Sequence, residues 1–246
     1  MYKYKIEYAE HDSSTIIEKI EKAKDIEKYL KNRAEIHKLI GSMFSSYTGD
    51  DWRAATGILY KVIIGDTLAF EIKSNVKIDK SIVEKHGFKV VSEENLDEIL
   101  KSIWDNSKDK QFELTSEVYP VGRKVVDIGN GKTRGQKVVI SAAYSPDATL
   151  KEKQEARAKA KADREEWLRF KVEAYNGIHL DKESITGDTL AIVPFKKDGQ
   201  KEFSLKTREY NFVVKADSFE DLVSLVAGGI GTEKAYGCGY VTVHEA

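Results

Sequence analysis

Apolar and charged residues alternate through Tyr2–Tyr8, which predicts a strand with one apolar face. From Ser14 to Phe44 the spacing turns helical. Its last part, Ile36, Leu39, Ile40, Met43 and Phe44, forms an apolar stripe. Gly49-Asp50 marks a turn. Ile58–Ile64 and Thr67–Lys73 then read as two strands joined by the short Gly65-Asp66 turn. Asn95–Trp104 reads as a helix with Leu96, Ile99, Leu100 and Ile103 inward, and Gln111–Tyr119 as a strand. Strand, helix, strand, strand, helix, strand is the ferredoxin-like βαββαβ order.

The second half repeats this order less cleanly. Val138–Ala142 is the first strand candidate and Thr149–Tyr175 a long helix. Ser184–Pro194 and Thr207–Ala216 are further strands. Ser218–Val226 is a helix capped by Asp217 or Ser218, and Tyr240–His244 closes the pattern. The chain is therefore expected to be α+β, with two tandem ferredoxin-like (RRM-like) domains. Their expected bounds are residues 1–120 and 146–246, with a linker at 121–145. The duplication is one of pattern only, since no repeat is visible in the residues themselves.

Between the last helix and the last strand lies Gly229-Ile-Gly-Thr-Glu-Lys-Ala-Tyr-Gly-Cys-Gly239. Glycine lets a backbone approach another group closely. A glycine-rich turn with free N–H groups and a lysine is suited to gripping phosphate. The plainer reading is a tight helix-to-strand turn.

With 246 residues, 41% apolar and 33% charged, the composition is that of a globular protein. The single cysteine, Cys238, precludes an intramolecular disulfide and reads as a small buried residue. Nothing has zinc-ligand spacing, so no metal or cofactor is expected. The N-terminus lacks the apolar run of a signal peptide. No stretch approaches the roughly 18 apolar residues of a membrane span. A cytoplasmic location is expected.

The net charge of −1 carries no general signal for nucleic acid. Its distribution does. From Pro120 to Phe170 there are twelve Lys or Arg against seven Asp or Glu, so the rest of the chain is acidic. A basic strip on a neutral protein suits a polyanion on one face. In Lys151–Arg169 the signs alternate, as on a solvated helix supported by i,i+4 pairs. The preceding segment, with Arg123, Lys124, Lys132, Arg134 and Lys137 among glycines, is the better RNA-binding candidate.

These features together resemble the CasE family of CRISPR RNA-processing endoribonucleases, subunits of the type I-E Cascade complex within the repeat-associated (RAMP) superfamily. The run Gly229–Gly239 is similar to that family's Gly-Ile-Gly, Lys-Ala, aromatic, Gly-Cys-Gly order. Phe212–Phe219 is similar to its strand-then-helix entry, and Ile36–Phe44 resembles its His-containing first helix. Leu59–Val62, Phe112–Leu114 and Arg134–Val138 match in the right order but are individually weak. The resemblance implies paired ferredoxin-like domains and metal-independent cleavage of CRISPR-repeat hairpin RNA. It also implies a product kept bound and assembly with other Cascade subunits. Neither direct DNA contact nor a membrane is expected.

Self-cleavage of RNA by its 2′-hydroxyl needs a base, an acid and donors for the phosphorane charge. Histidine suits either proton transfer. His37, at the edge of the apolar stripe and one turn before Gly41, reads by itself as a half-buried helix histidine. Its place in the family pattern implies a catalytic role. His11, His86, His179 and His244 read as surface or strand-end residues. Family members often carry a tyrosine three residues before the histidine, where this chain has Ala34. Arg33, Lys38 and Tyr29 are the neighbours that could supply a donor. RNA is expected to lie on the basic segment, with Gly229, Gly231, Lys234, Tyr236 and Gly237 holding it near the glycine loop. Trp52, Trp104 and Trp167 read as core. Two other readings remain open. One is a catalytically silent RNA-binding scaffold of the same fold. The other is a small-molecule enzyme using the loop for a nucleotide phosphate, which the helix-to-strand order disfavours because nucleotide loops run strand to helix.

Overall fold

A computed structural model describes residues 1–9, 26–44, 56–65, 67–127, 133–195 and 203–244. Two four-stranded antiparallel sheets carry the fold. The first is built from β1 (Tyr2–Tyr8), β2 (Leu59–Ile64), β3 (Leu68–Ser74) and β4 (Phe88–Asn95), in the order β2-β3-β1-β4. Helix α1 (Arg33–Ser42) joins β1 to β2, and the short α2 (Lys80–Lys85) joins β3 to β4. This is a complete ferredoxin-like unit.

Alternation in β1 buries Tyr4, Ile6 and Tyr8 against Phe70 and Ile72 of β3 and against Ile36, Leu39 and Ile40 of α1. Each large apolar side chain so buried contributes about 1.5–3 kcal/mol. Asn32 starts α1 by accepting the Ala34 N–H at 3.0 Å, a cap worth about 1 kcal/mol.

Helix α3 (Leu96–Asn106) follows, and then the second sheet. Its strands are β5 (Gln111–Val118), β8 (Ile178–Phe195), β9 (Phe203–Ala216) and β10 (Val241–His244), in the order β10-β5-β9-β8. Helices α4 (Leu150–Val172) and α5 (Phe219–Gly228) cover it. Phe112, Leu114, Phe212 and Val214 meet Trp167, Leu168, Leu222 and Leu225 in a second core.

This arrangement corrects several expectations. Gln111–Val118 does not close the first sheet; it is the first strand of the second, paired with β9 and β10. The strand that closes the first sheet is β4, and the sheets change over near α3 rather than in residues 121–145. Likewise Val138–Ala142 is not a sheet strand. Residues 121–139 form a separate two-stranded hairpin, β6 (Val121–Asp127) with β7 (Thr133–Val139). The long early helix is broken at Asn32, between a helical stretch at 26–31 and α1.

Strand β3 is buried on both faces because its second face meets the other unit. Lys73 of β3 donates to the Val241 carbonyl of β10. The Tyr60 hydroxyl of β2 donates to the Ala235 carbonyl at 3.0 Å. Further along, Ala34 of α1 packs with Val193 and Leu205 of the extended β8–β9 hairpin. The two units therefore meet along a seam that runs past α1.

Candidate active site

The glycine-rich stretch spans α5 to β10, and its course is set by internal hydrogen bonds. Gly229 caps α5 with φ 65°, its N–H donating to the Leu225 carbonyl at 2.9 Å. The Ile230 N–H donates to the Gly239 carbonyl at 2.9 Å, closing the loop into a neck. The Gly239 N–H donates to the Glu117 carbonyl at 2.6 Å, which fastens the neck to β5. At Gly239 (φ 77°) a Cβ would lie 2.1 Å from the Ile230 oxygen, so only glycine fits. Within the loop, the N–H groups of Tyr236 and Gly237 donate to the Glu233 and Lys234 carbonyls, forming one tight turn, Lys234–Tyr236.

The residues expected to cradle phosphate are themselves tied into the fold. The N–H groups of Gly229 and Gly237 are already bonded inside the fold. Gly231 sits against the Trp167 ring, where a Cβ would come within 2.9 Å of it. The Lys234 ammonium is half-buried and donates to the Gly228 carbonyl at the end of α5. Cations are favoured at such helix ends. Burial, reinforced by Lys171, holds its pKa below the ordinary lysine value. Gly229, Gly231, Lys234 and Gly237 thus shape and anchor the loop.

What the loop presents is Tyr236 and Glu233. The Tyr236 ring meets the His37 ring edge to face, with centroids 5.6 Å apart and planes at 75°. Both side chains are half-buried. Tyr236 and Tyr119 also pack on the cluster that Ala34, one turn before His37 on α1, forms with Val193 and Leu205. Arg33 lies alongside, with one guanidinium nitrogen 3.2 Å from where a Cβ on Gly237 would stand.

Glu233 faces the hairpin. It adopts the left-handed conformation, φ 61°, which costs a residue with a side chain about 1–2 kcal/mol. Its carboxylate accepts from the Lys137 ammonium of β7 at 2.9 Å. Arg123 stands directly opposite Lys137 in the β6–β7 ladder, and both are exposed. Lys124, also exposed, pairs with Gln136, and Arg134 pairs with Val126. Lys132 lies outside the described residues, as do His11 and Trp52.

The fold thus brings together His37, Arg33, Tyr236 and, through Glu233, the basic hairpin. Lys38 is exposed on the same helix, bridged to Glu35 at 3.1 Å. Tyr29 is not brought in: its ring packs on Phe88 in the first core, with centroids 6.3 Å apart. His86, His179 and His244 are exposed and hydrogen-bonded to Ser42, Asp217 and Thr115. Trp167 is buried, donating to the Val121 carbonyl at 2.9 Å, and Cys238 is buried with its thiol pushed up to about 12.

Sequence reasoning missed Glu233 as the link to the hairpin. It also missed Tyr119, whose pKa is raised by burial and then by Glu233. Both follow from chain reversals that no local pattern announces. Among the described residues, no group of three or more His, Cys, Asp or Glu is placed to hold a metal ion, and no helix is long and apolar enough to cross a membrane.

The sequence model of a family described as "CRISPR associated protein" matches residues 3–244. No curated protein matches the chain. Several solved structures share the fold. A CRISPR endoribonuclease Cse3 bound to a 19-nucleotide RNA is 14% identical, with TM-score 0.61, covering 99% of this chain and 100% of that one. The CRISPR-associated protein Cas6e from Escherichia coli K-12 is 15% identical, with TM-score 0.61 and complete coverage of both. A chain of a CRISPR RNA-guided surveillance complex is 14% identical, with TM-score 0.55 and complete coverage of both.

Proposed function

This chain belongs to the family of CRISPR-associated proteins, as its likeness to CasE leads one to expect. From that premise we propose that it is a metal-independent endoribonuclease that cuts CRISPR-repeat hairpin RNA and stays bound to the product as a Cascade subunit. The observation that carries this reading is the meeting of His37 with Tyr236 beside a cationic hairpin, on a scaffold closed across two units. An imidazole beside exposed cations is what phosphodiester cleavage by an internal hydroxyl requires.

In this reading His37 takes the proton from the 2′-hydroxyl as the 2′-oxygen bonds to phosphorus. Arg33 and Lys38 offset the charge that builds on the phosphorane oxygens. The products are a 2′,3′-cyclic phosphate and a 5′-hydroxyl. The stem lies on the hairpin, where Arg123, Lys124, Arg134 and Lys137 meet phosphates. A-form RNA is recognised mostly by shape and by backbone contacts. Gly229, Gly231, Gly237 and Lys234 act by holding the loop that carries Tyr236, not as direct ligands of RNA.

A second reading, an RNA-binding scaffold without catalysis, is favoured by Ala34, which puts no proton-transfer group one turn before His37. A gel assay with repeat-hairpin RNA in EDTA separates the two. Cleavage is expected, with a cyclic phosphate on the upstream fragment. A retarded but intact band would overturn the enzyme reading and leave the scaffold.

A further inference from the structure

The reaction has two proton transfers at opposite ends of an in-line displacement, and an imidazole that accepts one proton cannot at once deliver the other. A second group must stand within reach of the leaving 5′-oxygen. Tyr236 brings a hydroxyl-bearing side chain against the His37 ring. Of the other nearby tyrosines, Tyr60 donates its hydroxyl to the Ala235 carbonyl, Tyr29 packs into the first core, and Tyr119 packs on the cluster of Ala34, Val193 and Leu205. Position 34, which could have offered a group from α1 itself, is alanine, and it is buried with Val193 and Leu205 in the cluster on which Tyr119 and Tyr236 pack.

The turn that presents Tyr236 is also built to hold it still. Its N–H is bonded to the Glu233 carbonyl, Tyr60 holds the neighbouring Ala235 carbonyl, and Glu233 sits in a left-handed conformation. Strained, over-determined backbone of this kind clusters at functional sites.

We propose that Tyr236 is the general acid of the reaction, carried to His37 across the seam between the two units by the glycine-rich loop. This rests on the endoribonuclease reading above. The 2′-hydroxyl proton passes to the His37 imidazole and the 2′-oxygen bonds to phosphorus. The bond from phosphorus to the 5′-oxygen breaks, and that oxygen takes the phenol proton of Tyr236. The imidazolium and phenolate left behind exchange a proton through water to restore both groups. A phenol is protonated at neutral pH and so is ready to give a proton, while a neutral imidazole is ready to take one. The site is complete only when the units are packed together, because base and acid come from different halves of the chain.

The test is Tyr236→Phe, which keeps the ring and removes only the hydroxyl, compared on two repeat-hairpin RNAs under single-turnover conditions. One carries the natural linkage. The other has sulfur in place of the 5′-oxygen at the cleavage point, a leaving group that departs without being protonated. On the natural RNA the variant should cleave about 10²-fold more slowly than wild type, the low end of what general acid catalysis contributes. RNA affinity and melting temperature should be unchanged within a few fold and a few degrees. On the sulfur-bridged RNA the variant should match wild type within a few fold. An equal loss on both RNAs would make Tyr236 a structural residue and overturn the proposal, as would no loss on either. Failure of wild type to cleave either RNA would instead overturn the endoribonuclease reading, and this assignment with it.

Discussion

Lys73 is fully buried at the seam, with its ammonium on the Val241 carbonyl and 4.1 Å from the centre of the Tyr240 ring. It lines a cavity of about 40 Å³ together with Lys3, Glu71, Leu96 and Tyr240. Burial lowers its pKa to about 7, and Lys3 adds to the effect. An unfolded lysine keeps its proton to about pH 10.4. From pH 7 upward the unfolded state therefore binds more protons, and stability rises with pH. Cys238 works the other way once unfolded thiols ionise near about pH 8.5, so the window to watch is pH 7 to 8. Denaturant unfolding should show a gain there, at most about 1.4 kcal/mol per pH unit. Lys73→Met should remove that gain. An identical pH dependence in the variant would mean that Lys73 stays charged in the fold. At this scale the sequence was partly legible. The burial of Cys238 and the helical place of His37 follow from residue type and spacing. The burial of Lys73 does not, because β3 alternates normally and only the second unit covers its other face.

The elements show the same division. Leu96, Leu100 and Ile103 were readable as an apolar stripe, and they form one. The stripe says that a helix face is covered, not by which sheet, and here the second core covers it. That ambiguity moved Gln111–Val118 into the wrong unit. The true closing strand, β4, was overlooked because it is largely exposed, with Val91 facing solvent and a charged end, Ser92-Glu-Glu-Asn95. The basic hairpin was legible as a charged segment, but not the register that sets Arg123 opposite Lys137. That register carries a prediction. Replacing both by alanine should weaken repeat-RNA binding and reduce the salt slope by about 1–2, since each lost phosphate contact removes about 0.7–0.9. Melting temperature should change little, because an exposed bridge such as Lys137–Glu233 contributes about 0–1 kcal/mol. A salt slope equal to wild type would put the RNA on another surface.

Across the whole molecule, the two ferredoxin-like units are not independent binding modules placed in tandem. Their seam is where His37 of the first unit meets Tyr236 of the second, with Arg33 beside Gly237 and Lys137 held by Glu233. The glycine loop was the most recognisable motif in the chain, and its main-chain hydrogen bonds close it and fasten it to β5. Motif spacing could not distinguish these roles, because a tight neck and an anion nest ask for the same glycines. The proposed cleavage depends above all on the His37 imidazole. Single-turnover cleavage of repeat-hairpin RNA in EDTA by His37→Ala, with affinity measured on the same RNA, addresses it most directly. Loss of the base should abolish cleavage, by about 10²–10⁴-fold, while affinity stays within a few fold of wild type. Cleavage by the variant at the wild-type rate would contradict the account.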